Sequence, residues 1–261
     1  MIVAELTASV LSGFPSPADF DVTSAFWLHH TTRLPGADVT YRNYYVLVRV
    51  GEAFGACSFE AGELDPSCCA DTSGRNLKDL LTSNLPLPIR IAALDAYLAA
   101  VEPHHSSPDA EEVVLPAGPP DVRARARDEA VAGLINVANG TKVALIGVVN
   151  PLVDAITARG GVCLPCDFNL ERTASGIPVR KDLLEVVAEA DAVVATGMTL
   201  SNGSFDTLLE CGKPLAIYAQ TGSAVARAFL GAGVTALSAE PFPFSQFSSR
   251  PSSLYRYRTE T

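Results

Sequence analysis

The densest run of hydrogen-bonding side chains lies between Thr196 and Asp206, in TGMTLSNGSFD. Thr196, Thr199, Ser201, Asn202 and Ser204 supply hydroxyls and an amide, while Gly197 and Gly203 let backbone come close to whatever those groups hold. Capping a helix start needs one such residue. Five within a single loop point instead to a cradle for a small polar or anionic ligand.

Three more stretches are placed to join it. Gly147 ends an apolar run and is followed by Val148, Val149, Asn150 and Pro151. There Asn150 suits an N-cap, Pro151 a first turn, and the free N–H groups of the helix start an anion. A single glycine is not the glycine string that lets a pyrophosphate approach, so NAD and FAD are disfavoured. Asp167 stands 20 residues after Gly147, where an acid accepts hydrogen bonds from a ribose. An acid ending a strand also caps a turn, and both readings stand. Gln220 and Thr221, in YAQTGSA, precede a further helix and present polar groups at its start.

The metal-type residues are scattered. Cys163 and Cys166 form a CxxC without a second pair at zinc spacing. Their odd separation on a strand turns them to opposite faces. His29, His30 and Glu60 are the candidates for metal ligation from the N-terminal half, and a divalent metal is the corresponding cofactor. Glu60, His29 and Asp206 are the candidate general bases. The chain contains no GxSxG, HExxH, P-loop or kinase signature.

These groups converge only if the elements bring them to one edge. From residue 142 onward, short apolar strands (142–148, 162–166, 192–196, 214–219, 234–237) alternate with helices (151–159, 181–190, 203–211, 222–230). That alternation predicts a parallel sheet covered on both faces, with ligands beyond the strand carboxyl ends. Before it, strands at 22–31, 41–50 and 53–59, a Gly51–Glu52 hairpin and helices at 75–83 and 86–100 make a small α+β unit. The proline-rich EPHHSSPDAEEVVLPAGPPD between them reads as a connection. The expected organisation is a domain over 1–102, a linker over 103–121 and a Rossmann-like domain over 122–261, opening with a helix over 122–137.

A net charge of −10 with no basic patch excludes nucleic acid as a partner, because phosphate binding needs clustered Lys and Arg. No apolar run reaches the roughly 18 residues of a membrane span, and the first residues lack the basic start of a signal peptide. Six cysteines without regular spacing fit reduced thiols and a cytoplasmic location.

KVALIGVVNPLVDAI, the strand-end Asp167, ADAVVATGMTLSNGSFDTLL and PLAIYAQTGSAV together resemble a bacterial and archaeal family of unknown function. Its description is putative heavy-metal chelation. LTSNLPLPIRIAALDAYLAA is similar to the helix that closes that family's first domain. The resemblance implies an α/β protein in which a small α+β enolase-N-terminal-like domain precedes a Rossmann-like doubly wound parallel sheet. It also implies a site at Gly147, Pro151, Asp167, Thr196, Gly197, Thr199, Asn202 and Gly203. Where members usually carry Gly-Pro-[ST] after the fourth strand, this chain reads Ala219-Gln220-Thr221-Gly222.

The leading expectation is a small-molecule or metal-chelate binding protein, with its ligand in the cleft between the two domains. The alternative is a biosynthetic transferase or lyase that uses S-adenosylmethionine or a related adenosine-containing ligand. A third reading is a homodimeric interaction module.

Overall fold

The computed structural model of the chain describes residues 1–33 and 40–259. Helix α1 (Val3–Ser12) leads into a three-stranded antiparallel sheet of β1 (Ser24–Thr32), β2 (Tyr41–Val50) and β3 (Ala53–Phe59), in the order β1-β2-β3. Gly51, with a positive φ of 55°, turns β2 into β3. The short α2 (Cys68–Thr72) and α3 (Leu77–Thr82) then bring the chain to α4 (Leu87–Val101). This last helix is apolar around most of its circumference and is buried from Ile91 to Tyr97, as expected of a helix packed on more than one side. It lies so close to β3 that a Cβ on Gly55 would fall 2.0 Å from the Ala92 carbonyl oxygen.

The second sheet is built from β4 (Glu111–Leu115), β5 (Lys142–Ile146), β6 (Val162–Cys166), β7 (Ala192–Thr196), β8 (Leu215–Ala219), β9 (Ala236–Ala239) and β10 (Ser252–Arg258). Its order is β4-β10-β9-β8-β7-β5-β6. The five strands from β6 to β9 are mutually parallel, and β10 and β4 extend them antiparallel. Helices α5 (Pro120–Ala132), α6 (Asn150–Ala158), α7 (Leu183–Glu189), α8 (Phe205–Leu209) and α9 (Ser223–Arg227) complete this part.

Strand alternation explains why both faces are covered. Val143 and Leu145 of β5 pack with Val131, Leu152 and Ile156 from α5 and α6. Ala144 and Ile146 face the other way, into a core shared with Val186, Phe205 and Val225. That second core is continuous with α4 and with Val46, Val48 and Phe59 of the small sheet. The opposite face of the small sheet is closed by Phe244, packed with Tyr45, Leu47 and Ala56. The chain therefore adopts the expected α/β architecture, a small α+β unit followed by a Rossmann-like sheet, with one core running between them.

The expected linker over 103–121 is not a bare connection: β4 lies inside it and pairs with β10. Among the described residues no helix is long and apolar enough to cross a membrane.

Candidate functional site

In the parallel part of the large sheet, β6 lies on one side of β5 and β7 on the other. The order reverses at β5–β7, which is where open α/β sheets leave a crevice for ligands. A cleft of about 80 Å³ opens there. Gly147 follows β5, Asp167 follows β6, Thr196 ends β7, and Thr199, Asn202 and Ser204 come from the loop beyond it; all six line the cleft. Glu60, just past β3, reaches it from the small sheet.

The loop after β7 is held from within. Its first turn, Gly197–Leu200, is a single 3₁₀ turn in which Thr199 Oγ1 donates to the Thr196 carbonyl at 2.7 Å. Ser201 Oγ donates to the Met198 carbonyl at 2.9 Å. The Ser204 N–H and hydroxyl both donate to Asn202 Oδ1, at 3.1 and 2.7 Å. Several hydroxyls are thus spent on loop shape, while the Asn202 amide nitrogen makes no hydrogen bond among the described residues. Gly197 is a packing requirement, since a Cβ there would stand 2.4 Å from the Thr221 carbonyl.

Asp167 is the organiser of the opposite wall. Its Oδ2 accepts the Val148 N–H at 2.9 Å, and its Oδ1 accepts those of Asn169 and Leu170 at 2.8 and 3.3 Å. A carboxylate has about four lone-pair positions, so after these three bonds Asp167 can take one further donor. Lys181 buckles the same segment, donating to the carbonyls of Asp167, Phe168 and Leu170 at 3.1, 3.1 and 2.6 Å. Gly147 has φ of +80° and fits under Thr196, whose Cγ2 would be 2.5 Å from an added Cβ. The Tyr218 hydroxyl donates to the Gly147 carbonyl at 2.7 Å, and burial pushes its pKa up.

Other sequence candidates lie elsewhere. Asn150 is the first residue of α6, with Val149 at the cap position, and its Oδ1 accepts the Ala174 N–H at 2.8 Å. It braces a neighbouring loop instead of capping its own helix. Pro151 fills the first turn of α6, as its fixed φ favours. Gly203 faces a different cavity. Gln220 and Thr221 point into the seam between the sheets. The Gln220 amide donates to Glu240 and Gln246 at 2.8 and 2.7 Å, and Thr221 shares a 2.8 Å hydrogen bond with Ser58. The loop after β8 is one strand removed from the reversal point, and its neighbour is β3, not the cleft.

His29 and His30 are not drawn to Glu60. His29 stacks on its cross-strand partner Tyr44 with centroids 4.4 Å apart, and His30 packs against Phe247. Among the described residues no three His, Cys, Asp or Glu side chains form a group that could hold a metal ion. All six cysteines are free. Cys163 and Cys166 enter different cores on opposite faces of the sheet. Cys166 does line the cleft, but burial and then the charges of Asp167 and Asp182 push its thiol up. Asp206 accepts the Val3 N–H at 3.0 Å and lies outside the cleft.

Sequence reasoning missed the apolar rim of the cleft, formed by Ile146, Phe168, Leu183 and Met198. Phe168 carried a signal, being an aromatic residue directly after a strand-end acid.

Residues 130–239 match the model of the DUF364 family, whose description is Putative heavy-metal chelation. A DUF364 protein of unknown function from Desulfitobacterium hafniense DCB-2 is 16% identical, with a TM-score of 0.63 over 97% of this chain and 98% of that one. Another, from Pyrococcus horikoshii, is also 16% identical, with a TM-score of 0.63 over 99% of this chain and 100% of that one. At such identity the two demonstrate a common fold. No curated protein matches the chain.

Proposed function

We propose that the chain, whose residues 130–239 match that family's model, binds a small polar molecule, such as a metal chelate, in the cleft at the strand carboxyl ends. The observation that carries this reading is the meeting of Gly147, Asp167, Thr196 and Asn202 at the point where strand order reverses. Asn202 offers a free amide, Asp167 one remaining acceptor position and Glu60 an exposed carboxylate.

These residues do not fit a bare heavy-metal ion. Soft metals favour thiolate ligands, and the one thiol in the cleft is held protonated by its burial. A metal would arrive already wrapped by its own organic ligand, with the protein recognising oxygen and amide groups on the outside. An adenosine-containing cofactor is less well served, because three of the four acceptor positions on Asp167 already hold the turn. We place the protein in a reducing, cytoplasmic setting, in keeping with six free cysteines.

The test is a thermal-shift series on the metal-stripped full chain with citrate or iminodiacetate, each alone and with nickel or zinc. Nickel and zinc alone, S-adenosylmethionine and NAD complete the panel. A ligand that favours the native state raises its melting temperature. The expected result is stabilisation by a chelator or its metal complex, removed in Asn202→Ala. Stabilisation by S-adenosylmethionine, with the chelators silent, would replace this reading with a cofactor-dependent enzyme.

A further inference from the structure

A second cavity, larger than the cleft, lies elsewhere in the fold. A space of about 340 Å³ lies between α1, α4 and the loop leading into α8, and its walls are mostly apolar: Leu81, Leu87, Ile91, Leu200 and Phe205. Two charged groups of opposite sign, Arg90 and Asp206, also line it, with Thr7. Arg90 Nε donates to the Leu85 carbonyl at 3.1 Å, which fixes the guanidinium. Its two terminal nitrogens make no hydrogen bond or ion pair among the described residues. Asp206 Oδ1 accepts the Val3 N–H, which leaves Oδ2 for another donor.

A guanidinium fork matches a carboxylate, a half-committed carboxylate matches an ammonium, and the remaining surface asks for hydrocarbon. We propose that this cavity is a second ligand site and that it takes an aliphatic α-amino acid. The carboxylate rests on Arg90, the ammonium on Asp206, and the side chain among Leu81, Leu87, Ile91 and Leu200. One loop separates the two spaces: Leu200, Gly203 and Phe205 face this cavity, while Thr199, Asn202 and Ser204 face the cleft.

Calorimetric titration of the full chain tests the assignment. L-Leucine and L-norleucine are expected to bind. Leucinamide, which lacks the carboxylate, and 4-methylpentanoate, which lacks the amine, are expected to bind at least about tenfold more weakly, the usual cost of leaving a charged partner unmet. Glycine, lacking the hydrocarbon, is expected to give no signal. Arg90→Gln should weaken leucine by a similar factor. Ala4→Trp, at an exposed position on α1 that lines the cavity, should block it while leaving the melting temperature near wild type, and this variant decides the matter if Arg90→Gln does not fold. Glu60→Gln, in the cleft but outside the shared loop, should bind leucine normally. The proposal is overturned if leucine and norleucine give no heat, if 4-methylpentanoate binds as well as leucine, or if Ala4→Trp binds unchanged. Loss of binding in Glu60→Gln would overturn it too, by moving the amino acid into the cleft.

Discussion

Asp95 joins elements that are distant in sequence. From α4 its Oδ2 accepts the Ala56 N–H of β3 at 2.9 Å, and its Oδ1 accepts the Ala224 and Val225 N–H groups of α9 at 2.8 and 3.3 Å. Asp95→Ala leaves three buried donors without an acceptor, and each such group costs about 1–3 kcal/mol. Urea unfolding at neutral pH should therefore show a loss of at least about 3 kcal/mol. His104 makes a second buried join, between the Tyr257 hydroxyl at 2.7 Å and Ser223 Oγ at 3.2 Å. Burial, helped by Arg227 and His105, lowers its pKa from 6.5 to about 3. The unfolded chain thus takes up a proton near pH 6.5 that the folded chain refuses until about pH 3, so acid favours unfolding. Relative to His104→Gln, the wild type should lose about 1.4 kcal/mol per pH unit across that window. A stability difference that stays flat with pH would refute the burial argument. In the cleft itself, Asp167→Ala should destabilise the ligand-free protein by about 2 kcal/mol, because its hydrogen bonds to backbone do not depend on a ligand. The sequence left Asp167 open between ribose acceptor and turn cap, and local hydrogen bonding shows it is at least the latter. Gly147, Thr196, Thr199 and Asn202 line the cleft where the carboxyl-end rule points, the last two having been marked by the polar density of their loop. Gln220 and Thr221 obeyed the same rule but are taken up by Glu240, Gln246 and Ser58, partners that only tertiary packing reveals.

At the level of elements, the contact between β3 and α4 is made by backbone. Gly55→Ala would set a methyl carbon against the Ala92 carbonyl and the Ala96 backbone, where neither partner can move as a side chain would. Overpacking in a core typically costs about 1–3 kcal/mol and sometimes more. This substitution should sit at or above the upper end, read as a lowered urea midpoint or as loss of soluble protein. The apolar runs that became β6 and β7 were visible at their true limits, because buried parallel strands are continuous hydrophobic segments. Four elements were not foreseen at all: α1, α2, β4 and β10. Helix α1 buries only Leu6 and Val10, too sparse a stripe to register. Strand β4 begins with two acids inside a proline-rich tract, and prolines are tolerated beside an edge strand. Strand β10, SSLYRYR, mixes serine and arginine with its aromatics and draws its stability from β4 and β9, strands far away in sequence.

For the whole molecule, the shared core predicts that the two sheets unfold together. The single tryptophan, Trp27, reports the small sheet, and the buried Cys163 thiol reports the large one. Fluorescence and thiol reactivity followed through the same urea series should give one midpoint; two separated midpoints would mean independent domains. That fusion also bears on how a molecule gets into the cleft. Layers locked by Asp95, His104 and a common interior cannot swing apart like jaws, so traffic falls to the strap between Phe168 and Lys181. One ammonium clasps that strap by three carbonyls. Lys181→Met should therefore speed arrival and departure of a cleft ligand alike, leaving Kd almost unchanged in a stopped-flow comparison. The residence time of a ligand in the cleft would be set by a buckle, not by a hinge.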